Sequence, residues 1–159
     1  MPPDPTEDVS VWQPLRQLLR DLEDDIDQFY AQRGVTGVRP RFVGPLVRLG
    51  HRGAMSIREL ADALEVTHSA MSQTVAALRR EGLVRSVTGT DARTRQVTLT
   101  DRARQLLPLL QAEWRATEEA LRELEDEIPY ALSRAVADLR QALDRRRFRD
   151  RIADHLPPW

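Results

Sequence analysis

Two arginines, Arg93 and Arg95, stand two apart in "TDARTRQVTLT", with Asp91 just ahead of them and an alternating stretch behind. Cations at the tip of a turn repel one another and add nothing to a core, so an anionic partner is the chemistry to look for. A second candidate lies upstream. From Thr67 to Leu78 there is no charged residue, although 31% of the chain is Asp, Glu or Arg. On a helix whose inner face is Met71, Val75 and Leu78, the outer face carries His68, Ser69, Ser72, Gln73 and Ala76. Gln pairs with an adenine edge, and Ser bonds several bases, in a groove wide enough to admit a helix. The plain alternatives are a solvated helix face and a solvated loop.

Charge distribution favours the first reading. The net charge of −1 conceals a division: residues 1–32 carry −6, residues 33–104 carry +7, and residues 105–159 carry −2. Such a basic middle between acidic ends localises a field that the total hides. Every cation is arginine, whose planar fork suits phosphates and base edges. Arg52, Arg79 and Arg80 are expected phosphate contacts, with His51 beside the first. Arg93 and Arg95 are expected at the backbone or in the minor groove. Asp91 is expected to orient Arg93 rather than to touch DNA.

The elements that must hold these residues can be read from spacing. Val11, Leu15, Leu18, Leu22, Ile26 and Phe29 form one stripe of a helix closed by Gly34. "RPRFVGPLVRLGHRG" predicts a short helix with Phe42, Leu46 and Leu49 inward, stopping near Gly50 and Gly53; Gly44-Pro45 blurs its start. Ser56 and Glu59 form a capping box, with Met55 and Leu60 placed as a hydrophobic staple. Thr67 caps the next helix, Val66 and Met71 are spaced as its staple, and Gly82 ends it. Only Leu64, Glu65 and Val66 separate the two, which predicts a helix-turn-helix. "LVRSVT" and "RQVTLT" predict a hairpin around the arginine pair.

After Thr100, helical spacing continues through Leu106, Leu110, Trp114, Thr117, Leu121, Leu124 and Ile128, with Pro108 expected to bend the helix or restrict its start. Leu132, Val136, Leu139 and Leu143 mark a further helix. The expected organisation is a loose tail at 1–8, a dimerisation helix at 9–36, a DNA-binding lobe at 37–100, and a long helix with a C-terminal dimerisation helix at 101–159. The fold class is mainly α with a small β-hairpin wing. The stripes of the first and last helices form either a monomeric bundle or, the reading preferred, an interleaved homodimer.

The order "SIRELADALEVTHSAMSQTVAALRREGLV", then "DARTRQVTLT", then a long helix, resembles the MarR family of bacterial winged-helix regulators. The likeness is strongest over residues 39–110 and rests on helix placement beyond them. It implies a homodimer on a pseudo-palindromic operator, with 67–80 in the major groove and Arg93 at the wing. It also implies release of the DNA by a small effector, often aromatic and anionic. The pattern departs at Ala103-Arg104, where the family commonly places a glycine, which bears on helix entry rather than on DNA contact.

Other chemistry has little to stand on. With no cysteine there are no disulfides or thiolate metal sites, and a cytoplasmic location is expected. His51, His68 and His155 show no metal spacing, so neither a metal nor a cofactor is expected. No nucleophile motif or phosphate loop points to an enzyme. Trp12 and Trp114, with Arg16, Arg41 and Arg48 as carboxylate anchors, are candidates for a ligand pocket, although tryptophans at such spacing serve a core more often. "RRRFRDR" at 145–151 reads as a solvated helix end rather than a DNA contact. The rival to a DNA-binding repressor is a winged-helix protein-interaction module without sequence-specific DNA binding.

Overall fold

The computed structural model describes residues 4, 7, 10–88 and 95–157, so most of the expected tail lies outside the described residues. Seven helices and two strands appear there: α1 (Gln13–Gln32), α2 (Pro40–Arg52), α3 (Ile57–Ala63), α4 (His68–Arg80), β1 (Val84–Thr88), β2 (Arg95–Leu99), α5 (Asp101–Asp126), α6 (Leu132–Arg145) and α7 (Phe148–Asp154). The chain divides into two units, Met1–Ala112 and Glu113–Trp159, with α5 running through the division. Among the described residues no helix is long and apolar enough to cross a membrane.

The first unit is a winged helix-turn-helix with α1 ahead of it. Its core joins Tyr30, Phe42, Leu46, Leu60, Leu78, Leu83, Val97 and Leu110, all essentially without exposure. Local rules account for its helix ends. Pro40 opens α2 after an extended Arg39, as the residue before a proline prefers. Ser56 Oγ accepts from Glu59 N–H, and Glu59 returns a bond to Ser56 N–H, completing the capping box. Thr67 Oγ1 accepts from Ala70 N–H at the start of α4. That helix ends in a Schellman motif: Gly82 has φ +68°, Leu83 N–H bonds Leu78 C=O, and Gly82 N–H bonds Arg79 C=O. The same motif ends α3, but with Glu65 at φ 54° in the position that glycine usually takes.

β1 and β2 pair antiparallel, from Val84 opposite Leu99 to Thr88 opposite Arg95. Met55 adds a short third edge: it exchanges both backbone bonds with Val97, at 3.0 and 2.7 Å. The spacing of Met55 suggested only a staple to α3, and the bridge explains its burial more directly.

Several expectations need correction. Val11 lies in a turn ahead of α1, 89% exposed, and the buried aromatic of α1 is Tyr30 while Phe29 is half-buried. Val66 stays exposed, so the apolar contact read into the start of α4 is weak on its side. Of the two glycines expected near the end of α2, Gly53 is its C-cap, at φ 80°, while Gly50 lies inside the helix. The helix runs to Arg52, and a Cβ on Gly50 would stand 2.6 Å from Leu107 Cδ1, so glycine there permits close approach of α2 and α5. Gly44-Pro45 and Pro108 are likewise accommodated inside α2 and α5, while Ile128 falls beyond the end of α5.

The second unit holds the rest of α5, then α6 and α7. Glu125 accepts from both the backbone N–H and the hydroxyl of Ser133, at 2.6 and 2.7 Å, tying α5 to the first turn of α6. Tyr130 bonds Asp138, Arg146 pairs with Asp154, and Arg151 donates to Ala142 C=O at 3.1 Å. Neither α6 nor α7 buries any residue.

Candidate nucleic-acid interface

The helix-turn-helix rests on the burial of one face of α4. Met71, Val75, Ala77 and Leu78 are inside, which leaves His68, Ser69, Gln73 and Ala76 exposed and Ser72 partly so. All sit in the first three turns, behind the Thr67 cap, and none is charged. The basic residues of α4, Arg79 and Arg80, come only in its last turn and are exposed. The helix therefore presents short hydrogen-bonding groups at one end and two guanidinium groups at the other. Short side chains let a helix axis come close to base edges, and the long cations at the far end reach outward to a backbone.

Arg52 ends α2 and is exposed. Its neighbour His51 is engaged: its Nε2 lies 3.1 Å from Gln111 Nε2, a bond in which the amide donates to the unprotonated ring nitrogen. At the wing, Arg95 is exposed as the first residue of β2. Asp91 and Arg93 lie outside the described residues. Strand alternation puts Arg95 on the face shared with Val97 and Leu99, and Arg85 on the opposite, outer face with Thr98 across from it. Arg85 and Arg58 are exposed cations of this unit that sequence reasoning did not single out; the signal for Arg85 is its alternation with the buried Val84.

Part of the basic middle serves the fold instead. Arg48, one of the expected ligand anchors, donates to Ala63 C=O at 3.2 Å and so satisfies the end of α3. Arg33 lies over the Phe29 ring at 3.6 Å, and Arg104 pairs with Asp101 at 2.6 Å. Arg102 forks between two carbonyls, Glu81 at 2.5 Å and Thr36 at 2.7 Å. The sequence held no local sign of the Arg48 and Arg102 ties, which join residues 15 to 66 positions apart.

Of the other expected pocket residues, Arg16 donates to Ser10 Oγ at 2.9 Å and Trp12 is about half exposed at the head of α1. Arg41 lies beside the Phe42 ring at 5.5 Å. Trp114 belongs to the second unit and is also about half exposed. In the 145–151 cluster, Arg146 and Arg151 are taken up by the contacts that hold α7, and Arg149 lies 3.4 Å from Asp150. Among the described residues no group of three His, Asp or Glu is arranged to hold a metal ion.

With this geometry in view, the likeness to known proteins is informative. Residues 46–94 match the MarR family. Among solved structures, the S. aureus MepR–DNA complex superposes with a TM-score of 0.62 at 18% identity, covering 86% of this chain and 98% of that one. A transcriptional regulator of M. tuberculosis, MosR, also in complex with DNA, gives 0.59 at 24% identity and covers 88% and 100%. S. pneumoniae FabT in complex with DNA gives 0.53 at 18% identity, covering 84% and 97%. No curated protein sequence matches the chain. At these identities the structural likeness speaks for the fold alone: a winged helix-turn-helix of the kind seen in these DNA complexes.

Proposed function

We propose that this chain, which matches the MarR family over residues 46–94 and has the fold of that family's regulators, is a dimeric, sequence-specific repressor that binds a pseudo-palindromic operator. The observation that carries the proposal is the face of α4. It is an exposed, uncharged helical surface behind a threonine cap, with guanidinium groups at its far end, in a chain otherwise dense in charge. Thr67, His68, Ser69, Ser72 and Gln73 read base edges in the major groove. Arg52, Arg79, Arg80 and Arg95 bind phosphates, and Arg93, oriented by Asp91, enters the minor groove beside them.

Repression follows from occupancy, because an operator covered by the dimer is closed to polymerase. Relief comes from a small effector, aromatic and anionic, with Trp12, Arg16, Arg48 and Trp114 as candidate contacts. Both arginines already hold internal bonds, so an effector that recruits them must compete with Ser10 and Ala63.

Selection of bound duplexes from a random pool tests the core of this reading. A two-fold motif with half-sites about 10–10.5 base pairs apart, or a multiple, is expected. Gln73→Ala should then lose about 1–3 kcal/mol at chosen base pairs. Arg93→Ala should weaken all sequences and lower the salt slope by about one. Recovery of no motif, with binding only to an acidic protein, would replace the proposal with a protein-interaction module.

A further inference from the structure

The recognition helix does not end freely. The three carbonyls that follow it, those of Glu81, Gly82 and Leu83, are gripped one after another by Thr100 and by Arg102 in the first turn of α5. Arg102 Nη1 donates to Glu81 C=O at 2.5 Å, and Thr100 Oγ1 donates to Gly82 C=O at 2.8 Å. Leu83 C=O receives Thr100 N–H at 3.1 Å and lies 3.3 Å from the same hydroxyl. Thr100 Oγ1 also accepts Ala103 N–H, so one hydroxyl caps α5 while holding the end of α4. Ala103 is fully buried in that first turn.

Arg102 extends the grip to a third segment. Its other nitrogen, Nη2, donates to Thr36 C=O at 2.7 Å, in the connection between α1 and α2. A planar guanidinium bridging two carbonyls from different segments fixes their separation and their angle, which an ammonium on a flexible stem does not. The neighbouring backbone is shaped to fit. Gly37 has φ +74°, and a Cβ there would stand 2.6 Å from Glu81 Oε2 and 3.2 Å from Arg102 Nη2.

We propose that Arg102 is a positioning residue for DNA reading: its fork locks the end of α4 to α5 and to the α1–α2 connection, and so sets the angle at which Gln73 and its neighbours meet base edges. The inference rests on the DNA-reading role proposed above. Arg102 touches no DNA in this scheme, which separates it from the phosphate-binding arginines. Loss of the fork should reduce discrimination between sequences while leaving the electrostatic attraction to any duplex largely in place.

The test compares the full-length wild type with Arg102→Met, Arg102→Lys and Gly37→Ala. Affinities are measured across a salt series for the selected duplex and for a scrambled one, with thermal melting as the check on folding. Arg102→Met is expected to lose roughly three- to thirtyfold on the selected duplex. It should keep the wild-type salt slope and nearly wild-type affinity for the scrambled one. Gly37→Ala disturbs the fork without removing a charge, because its Cβ would press on Glu81 Oε2 and Arg102 Nη2 and strain a backbone at φ +74°; it should lose selectivity in the same sense and carries the test if Arg102→Met folds poorly. Arg102→Lys should fall between Arg102→Met and wild type, because it keeps the charge but reaches one carbonyl at a time.

Equal losses by Arg102→Met on both duplexes, with the slope falling by about one, would make Arg102 a phosphate contact and overturn the proposal. Wild-type selectivity in Arg102→Met would overturn it as well, and complete rescue by lysine would remove the fork as the reason. A wild type that binds no duplex sinks the DNA-reading role and this inference together. A wild type that selects a site while Arg102→Met selects it equally well sinks this inference alone.

Discussion

The two units hold themselves together by different means. In the first, apolar side chains from α1 to the start of α5 close on one another, and every buried hydrophobic among the described residues lies between Tyr30 and Leu110. In the second, from Glu113 onward, the single buried residue among the described ones is Glu113 itself. Its helices are joined by polar ties, Glu125 to Ser133, Arg146 to Asp154 and Arg151 to Ala142, while Leu132, Val136, Leu139 and Leu143 keep about two-fifths of their surface exposed along α6. Exposed polar ties contribute little against the entropy of ordering a chain. A helical unit without a core needs an apolar surface from elsewhere, and under the proposed function a second copy supplies it.

The strongest way to break this contrast is to charge the α6 stripe. Val136→Asp with Leu139→Asp should yield a monomer in sedimentation equilibrium, its first unit still folded. Operator affinity should fall by roughly 10²–10⁴, the advantage that two linked half-site contacts hold over one. A variant that stays dimeric would mean that the stripe is not the surface through which copies meet.

The converse substitution lies in the core. Leu78→Ala, at a site with no exposure, should cost about 2–5 kcal/mol in chemical denaturation, whatever the protein concentration. Leu143→Ala, in contrast, should show a cost that shrinks as the protein is diluted below its dimer constant. Equal, concentration-independent losses at both positions would erase the distinction between the units.

How much of this could be read from the chain depends on how far apart the interacting residues are. The capping box at Ser56 and Glu59, the cap at Thr67 and the glycine stops at Gly34 and Gly82 were legible because each is a rule about residues three to six apart. The uncharged face of α4 was legible for a similar reason, since a 3.6-residue period separates Met71, Val75 and Leu78 from Gln73. Gly50 was misread because a glycine that stops a helix and one that admits a neighbour look alike until Leu107 is known to lie against it. The ties of Arg48 and Arg102 were not legible because the carbonyls they satisfy carry no side-chain signature. Arginine counts therefore overstate the charge available to a nucleic acid.

The turn between α3 and α4 offers two smaller changes of opposite sign. Thr67→Ala removes the cap of α4 and should cost about 1 kcal/mol. Glu65 sits at φ 54°, where a Cβ is crowded, so Glu65→Gly should recover roughly 1 kcal/mol. Both are measurable by denaturation midpoint. A gain at Glu65 bought by wider sequence tolerance would indicate that the strained turn also helps aim α4.

The smallest effect compares the units directly, because each holds one carboxylate in the same way. Glu59 lies below its ordinary value of 4.5 through the backbone N–H of Ser56 first and its hydroxyl second. Glu125 lies below 4.5 through the backbone N–H of Ser133 first and its hydroxyl second. Folded values that are depressed mean stability fully present above 4.5 and lost as pH falls through each folded value. The consequences differ with location. Protonation of Glu59 frays one turn of α3 backed by a closed core, whereas protonation of Glu125 loosens a tie between α5 and α6 with no buried apolar residue on α6. Amide chemical shifts of Ser56 and Ser133 should therefore both titrate with midpoints below 4.5, and only the Ser133 transition should be accompanied by broadening of α6 resonances. Ser133→Ala keeps the backbone N–H and should raise the Glu125 midpoint only part of the way toward 4.5. A full return would show that the hydroxyl, not the helix N-terminus it decorates, holds the charge.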